Sequence, residues 1–157
     1  GKAKLADGGN KILYQADTRM EIAGGGEKVS AVSPWLNSSG DRIGQVVNWK
    51  IICSSMGAPG GQVQSHIRYG HGIDKTQEIL MLSCDLGLID KAGAWFTCSF
   101  MSMFKDLAKE INPELDVNDE EALAKAFKFQ GQDKLYNFLD SNPKVVDILE
   151  ASVKGML

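Results

Sequence analysis

The stretch from His66 to Phe96, HIRYGHGIDKTQEILMLSCDLGLIDKAGAWF, constrains the fold more than any other part of the chain. In it a strand, a two-glycine corner, a capped helix and an aromatic strand follow one another without filler. Ser65 to Tyr69 alternates around Ile67 and Tyr69 as a half-buried strand does, and Gly70 and Gly72 supply the backbone freedom a sharp corner requires. Asp74 stands where a helix cap belongs, with Gln77 three residues on completing a capping box. Ile79, Leu82 and Leu86 trace an apolar stripe, and Gly87 is placed to end the helix in the left-handed conformation. The run reads as a junction between two structural units.

Upstream of the junction the chain is rich in strands. Lys11 to Asp17 and Arg19 to Ala23 read as strand with a break near Asp17-Thr18. Gly24 to Gly40 is a glycine-, serine- and proline-containing loop or hairpin whose one large apolar anchor is Trp35. Gly44 to Ser55 is a β-branched run suited to a central strand, and Gly57 to Gly61 separates it from the strand that begins at Gln62. No helix to cover these strands is evident before Asp74. A sheet with both faces bare is hard to stabilise, so residues 1–73 are expected to be part of a larger domain.

Downstream, residues 74–157 read as a small α+β unit. Ala94 to Phe100 alternates as a strand, and Met103 to Ile111 and Asn118 to Phe129 read as helices, the second opened by Asn118-Asp-Glu-Glu121. Gln132 to Ser141 and Pro143 to Lys154 form a helical hairpin with its corner at Asn142-Pro143. In it Leu135, Phe138 and Leu139 face Val146, Leu149 and Val153.

The glycine corner and the residues after it resemble a known family. Tyr-Gly-x-Gly-Ile, a helix ending in Leu-Gly-Leu-Ile-x-Lys, and Ala-Gly-Ala-Trp-aromatic are similar to the passage from the ATPase core to the C-terminal domain of RecA-type recombinases. The similarity extends to Gly8-Gly9-Asn10, the strand Ile12 to Ala16, Arg19-Met-Glu-Ile22 and Gly131-Gln-Asp-Lys134. The segment from Met101 to Gln130 has no counterpart in the short bacterial pattern, which points to a phage-type relative. The fold the resemblance implies is the last strands of an α/β ATPase core followed by a small α+β domain. The function it implies for the intact protein is ATP- and Mg²⁺-dependent filament formation on single-stranded DNA, homology search and strand exchange in recombination and repair, including the SOS response.

The same resemblance assigns residues. Gly8 and Gly9 match the end of the second DNA-binding loop, where backbone N–H groups meet phosphate. Tyr14, Arg19, Cys53 and Ser55 fall at subunit-interface positions. At the last two, bacterial RecA carries lysines that reach the neighbour's ATP, and a thiol and a hydroxyl cannot neutralise phosphate. Lys50 and Arg68 are the alternative cations. Lys91 and Lys134 match basic positions facing double-stranded DNA near Trp95, with Lys144 and Lys154 as extensions. Single- and double-stranded DNA and further copies of the chain are thus the expected partners, in the cytoplasm.

Other chemistries find little support. No G-x-x-x-x-G-K-[ST] occurs, so this chain is expected to hold no nucleotide and no cofactor of its own and to lack catalytic residues. Cys53, Cys84 and Cys98 form neither a disulfide framework nor a zinc pattern, His66 and His71 lack companion ligands, and no calcium loop is present. No apolar run is long enough to span a bilayer. A net charge of −3 argues against binding nucleic acid through bulk charge and favours a second reading. In that reading the chain is a protein-interaction module docking a partner through Phe127, Phe129, Tyr136 and Phe138.

Overall fold

The structure, a computed structural model, describes residues 16–24, 30–55 and 58–156. The chain divides into two compact units, Gly1–Asp74 and Lys75–Leu157.

The described part of the first unit is a five-stranded sheet. Strand β3 (Arg42–Ser54) is its spine: β4 (Gln62–Arg68) runs along one edge, while β1 (Thr18–Ile22) and β2 (Val32–Leu36) share the other. A two-residue strand, β5 (Gly72–Ile73), folds back on β4. Every pairing is antiparallel, so the sheet requires no helical crossover. Of the loop or hairpin expected over residues 24–40, the hairpin is observed, with β2 as a full strand. Its hairpin closes at Asn37, whose side-chain oxygen accepts from the Ser39 and Asp41 N–H groups at 3.0 and 2.8 Å. Asn48 sits at the join between β1 and β2. Its backbone bonds Ala23 and Ala31, and its side chain donates to the Ser30 carbonyl at 2.8 Å. The glycine-rich run before β4 makes the β3–β4 turn, with Gly60 at φ +91° and its N–H on the Ile51 carbonyl.

Register sorts the side chains of this sheet into two faces. One collects Met20, Ile22, Val32, Val47, Trp49, Ile51, Val63, Ile67 and Ile73. Val47 is buried, yet Met20, Ile22, Val32, Val63 and Ile73 remain 40–59% exposed. The other face carries Glu21, Trp35, Lys50, Gln64, His66 and Arg68. A bulge at Ile52, where β1 passes from Met20↔Ile51 to Arg19↔Cys53, turns Cys53 onto this polar face.

In the second unit, α1 (Lys75–Asp85) begins directly after the Gly70–Gly72 corner, both of whose glycines have positive φ. It ends as the sequence suggested. Gly87 sits at φ +74°, and the Leu88 and Gly87 N–H groups bond the Ser83 and Cys84 carbonyls, the two bonds of a Schellman cap. Its buried face is a correction to the expected stripe: Gln77, Ile79, Leu80 and Ser83 point inward, while Leu82 is exposed.

A three-stranded antiparallel sheet comes next, in the order β6 (Asp90–Ala92), β7 (Trp95–Thr97), β8 (Lys128–Gln130). Two expectations fail here. The strand expected to reach Phe100 stops at Thr97 and passes into a 3₁₀ turn over Ser99–Met103. The helix expected over 118–129 is α3 (Glu120–Ala126) alone, because Phe96↔Phe129 pairing draws 128–130 into the sheet. Its cap is Asp119, not Asn118: one carboxylate oxygen accepts from the Glu121 and Ala122 N–H groups at 3.0 and 3.1 Å.

Helix α2 (Lys105–Ile111) precedes α3, and α4 (Gln132–Ser141) and α5 (Pro143–Met156) close the unit. Leu80, Ile89, Met101, Leu135, Leu139 and Leu149 are its fully buried centre, each contributing about 1.5–3 kcal/mol through burial. Phe138 packs against the core that holds Val146 and Leu149. It stacks on Phe129 at 4.7 Å between ring centres and lies 5.8 Å from Phe127. Phe127 is buried, and Phe129, Tyr136 and Phe138 pack partly buried against the same core. All four rings pack on the core of the unit, so the partner-docking reading is not favoured.

Candidate nucleic-acid interface

The small sheet separates its residues by pleat. Lys91, Phe96 and Phe129 lie across from one another on the core side, and the Lys91 stem runs outward with its Nζ 5.6 Å from the centre of the Phe96 ring. The opposite side carries Asp90, Ala92, Trp95, Thr97, Lys128 and Gln130. Trp95 is 42% exposed, and the Nζ of Lys128 stands 5.1 Å from the centre of a Trp95 ring. Lysine over indole at an exposed site is worth about 0.5–1 kcal/mol, enough to orient both side chains. The Gly131 N–H bonds the Ala94 carbonyl at 2.8 Å, so α4, with Lys134 in its first turn, starts beside the entry to β7.

The lysines singled out from sequence are thus unequal. Lys91 and Lys134 are exposed, with Lys91 on the pleat opposite Trp95. Lys144 is engaged by Glu110 at 2.5 Å and Lys154 by Glu150 at 2.9 Å. Glu150 also takes Lys75 at 2.5 Å, and the two cations hold its carboxyl below its ordinary range. The cation beside Trp95 is Lys128, which sequence reasoning missed. Only pairing with β7 reveals it, since 118–129 has helical spacing.

In the first unit, Arg19 and Cys53 are direct cross-strand partners, both exposed, and Thr18 and Ser54 meet next to them at 3.3 Å between hydroxyls. Ser55 is the next residue, exposed, with its N–H on the Asp17 carbonyl at 2.8 Å. Lys50 and Glu21 share this face one step along. Arg68 does not join them. Its Nε donates to the buried Asp74 carboxylate at 2.6 Å and its guanidinium stacks 4.7 Å from the centre of a Trp35 ring. His66 meets Trp35 edge-on at 5.0 Å, and burial pushes its imidazole below the usual value against the opposing pull of Asp74. Gly8, Gly9 and Tyr14 lie outside the described residues.

Among the described residues no cluster of His, Cys, Asp and Glu is arranged to hold a metal ion, and no helix is long and apolar enough to cross a membrane. The Cys98 thiol is pushed up to about 12, chiefly by burial, and that of Cys84 is raised by the same cause. Neither is poised as a nucleophile.

No protein-family model matches the chain. Comparison with curated proteins gives the RecA protein of Desulforapulum autotrophicum, 31% identical over 97 residues, or 62% of this chain and 26% of that protein. RecA of Caulobacter sp. strain K31 is 30% identical over 124 residues, covering 71% and 33%. RecA of Allorhizobium ampelinum is 25% identical over 154 residues, covering 98% and 33%. The chain therefore spans between a quarter and a third of the length of these relatives. With similarity to many RecA proteins running through both the five-stranded sheet and the helical unit, the chain is a RecA-like C-terminal portion.

Proposed function

We propose that this chain serves a homologous recombinase of recombination and repair, contributing subunit-interface and duplex-DNA-binding surfaces to a protein that forms ATP-dependent filaments on single-stranded DNA and exchanges strands. The observation that carries this reading is the similarity to RecA proteins, which in one relative extends over 98% of the chain. A phage-type member acting in the SOS response is the finer version. It is supported by the extra 101–130 segment, which supplies the 3₁₀ turn, α2, α3 and β8.

The sequence has no phosphate-binding loop motif, and among the described residues Gly60 and Gly61 form a β-hairpin turn. ATP and Mg²⁺ belong to the intact protein, and this chain's part is to approach a neighbour's nucleotide. For that task Lys50 and Arg19, on one face with Cys53, are better placed than Arg68, which Asp74 already holds. Tyr14 and Ser55 complete the interface, and Gly8 and Gly9 act in contacting the single strand. The apolar sheet face is where the rest of the core packs. For duplex DNA, Lys91 and Lys134 form the contact surface, and Lys144, tied to Glu110, is an edge residue that joins when that pair opens.

The test is fluorescence anisotropy with labelled duplex DNA at low salt, comparing the chain with its Lys91→Glu plus Lys134→Glu variant. Each phosphate contact adds about 0.9 to the salt slope on duplex DNA, so the variant should bind more weakly and lose close to two units of slope. Equal affinity and equal slope would remove the duplex surface from these lysines.

A further inference from the structure

We infer that the outward face of the β6–β7–β8 sheet holds an unstacked base of single-stranded DNA, with Trp95 as the stacking platform and Lys128 for the adjoining phosphate. This rests on the DNA-binding reading above and assigns a single-stranded ligand to the sheet face opposite Lys91.

Two observations converge on it. Trp95 is 42% exposed in a position where Phe96, the next residue, is 5% exposed, so the sheet buries one aromatic and offers the other to solvent. The exposed ring is flanked on its own pleat by Thr97 and Gln130, which bring hydrogen-bonding groups to the edge of anything stacked on it, and by Lys128. A sheet face with an outward aromatic beside hydrogen-bonding and cationic side chains is the arrangement by which proteins take bases out of a single strand.

Charge then separates single strand from duplex. The second unit carries nine lysines against fourteen acidic side chains. Lys75, Lys144 and Lys154 are held in ion pairs, and Lys109 donates to the Leu115 carbonyl at 2.9 Å. A duplex presents one charge per about 1.7 Å of axis and relies on many cations, whereas a single strand has a lower charge density and can draw on stacking. Lys128 rests on the ring when no base is present, an exposed contact worth about 2- to 5-fold, whereas base stacking is worth roughly 5- to 150-fold. The base therefore displaces the lysine, which swings to the phosphate. Asp90, on the same pleat opposite Thr97, keeps the backbone on the β8 side.

The test measures anisotropy of a 5′-labelled oligothymidylate and of a blunt duplex of equal length at low salt, on the full 157-residue chain and its Trp95→Ala, Trp95→Phe and Lys128→Gln variants. Trp95→Ala is expected to cost the single strand roughly 5- to 150-fold, Trp95→Phe to restore most of it, and Lys128→Gln to lower its salt slope by about 0.7. Duplex affinity should hardly change with either Trp95 variant. Unchanged single-strand affinity in Trp95→Ala, with thermal unfolding confirming a folded chain, would overturn the stacking site. If duplex binding still falls in the Lys91→Glu plus Lys134→Glu variant, that failure leaves the recombinase reading standing. Equal losses on both DNA forms would overturn the inference too, because the contact would then be to phosphate alone.

Discussion

Gly44 is the position where one methyl group should do most damage. It lies in β3 opposite Trp35 on β2 and Arg68 on β4. A Cβ built there collides with the Ile67 carbonyl oxygen and comes within 2.8 Å of Trp35 Cε3 and 3.1 Å of the Ile67 carbonyl carbon. Two of these three atoms are backbone, so no rotamer change clears them. β4 must move from β3 and Trp35 must leave its seat between Arg68 and His66. Overpacking of this kind costs about 1–3 kcal/mol, and each lost ring contact of Trp35 adds about 0.5–1 kcal/mol. Gly44→Ala should therefore destabilise the first unit by about 2–5 kcal/mol, near the upper end for a single substitution. Denaturant unfolding followed by tryptophan fluorescence in a Trp95→Phe background measures this, because Trp35 and Trp49 both belong to that unit. Adding Trp35→Ala relieves only the side-chain collision, so Gly44→Ala should still cost at least about 1 kcal/mol there. A cost below about 0.5 kcal/mol in both backgrounds would refute the argument that Ile67 leaves no room.

Two more outcomes concern buried polar groups. Burial holds His66 neutral in the fold, so the unfolded chain takes up its proton first as pH falls below about 6.5 and stability drops from there until the lowered folded value is reached. His66→Gln should flatten the denaturant midpoint between about pH 7 and 5, and parallel pH profiles for the two proteins would exclude His66 as the source. The Ser83 hydroxyl is fully buried without a hydrogen-bond partner, so Ser83→Ala should be neutral or stabilise the second unit by up to about 1 kcal/mol in thermal unfolding. A clear loss of stability would show that the hydroxyl has work to do.

What could be read from residues alone was whatever local chemistry decides. The Gly70–Gly72 corner, the Gly87 cap, the β-branched spine of β3 and the hairpin with Pro143 opening α5 each depend on a few neighbouring side chains, and each is present. Where a distant partner decides, the reading failed. Lys128 to Gln130 carries helical spacing from Leu123 onward, and only the ladder to Trp95–Thr97 makes it a strand. That error hid Lys128 and its place over Trp95. Phe127, Phe129 and Phe138 looked like a docking surface because nothing local says whether an aromatic cluster is buried. The shift of the α3 cap by one residue is a smaller case, since Asn118 and Asp119 are both good caps and only the turn before them selects one. In the first unit, Trp35 was legible as an anchor, while its partners His66 and Arg68 come from another strand.

The extra residue at Ile52 sets which chemistry the end of β3 shows on each face of the sheet. Ahead of it, odd-numbered side chains join the greasy face; beyond it, the parity inverts and Cys53 sits with Arg19. Deleting that one residue would straighten the strand and leave the thiol beside Arg19, whereas keeping it and losing the bulge would seat Ile52 opposite Arg19 and send the thiol among methyl groups. The bulge, more than residue identity, thus keeps the thiol on the Arg19 face.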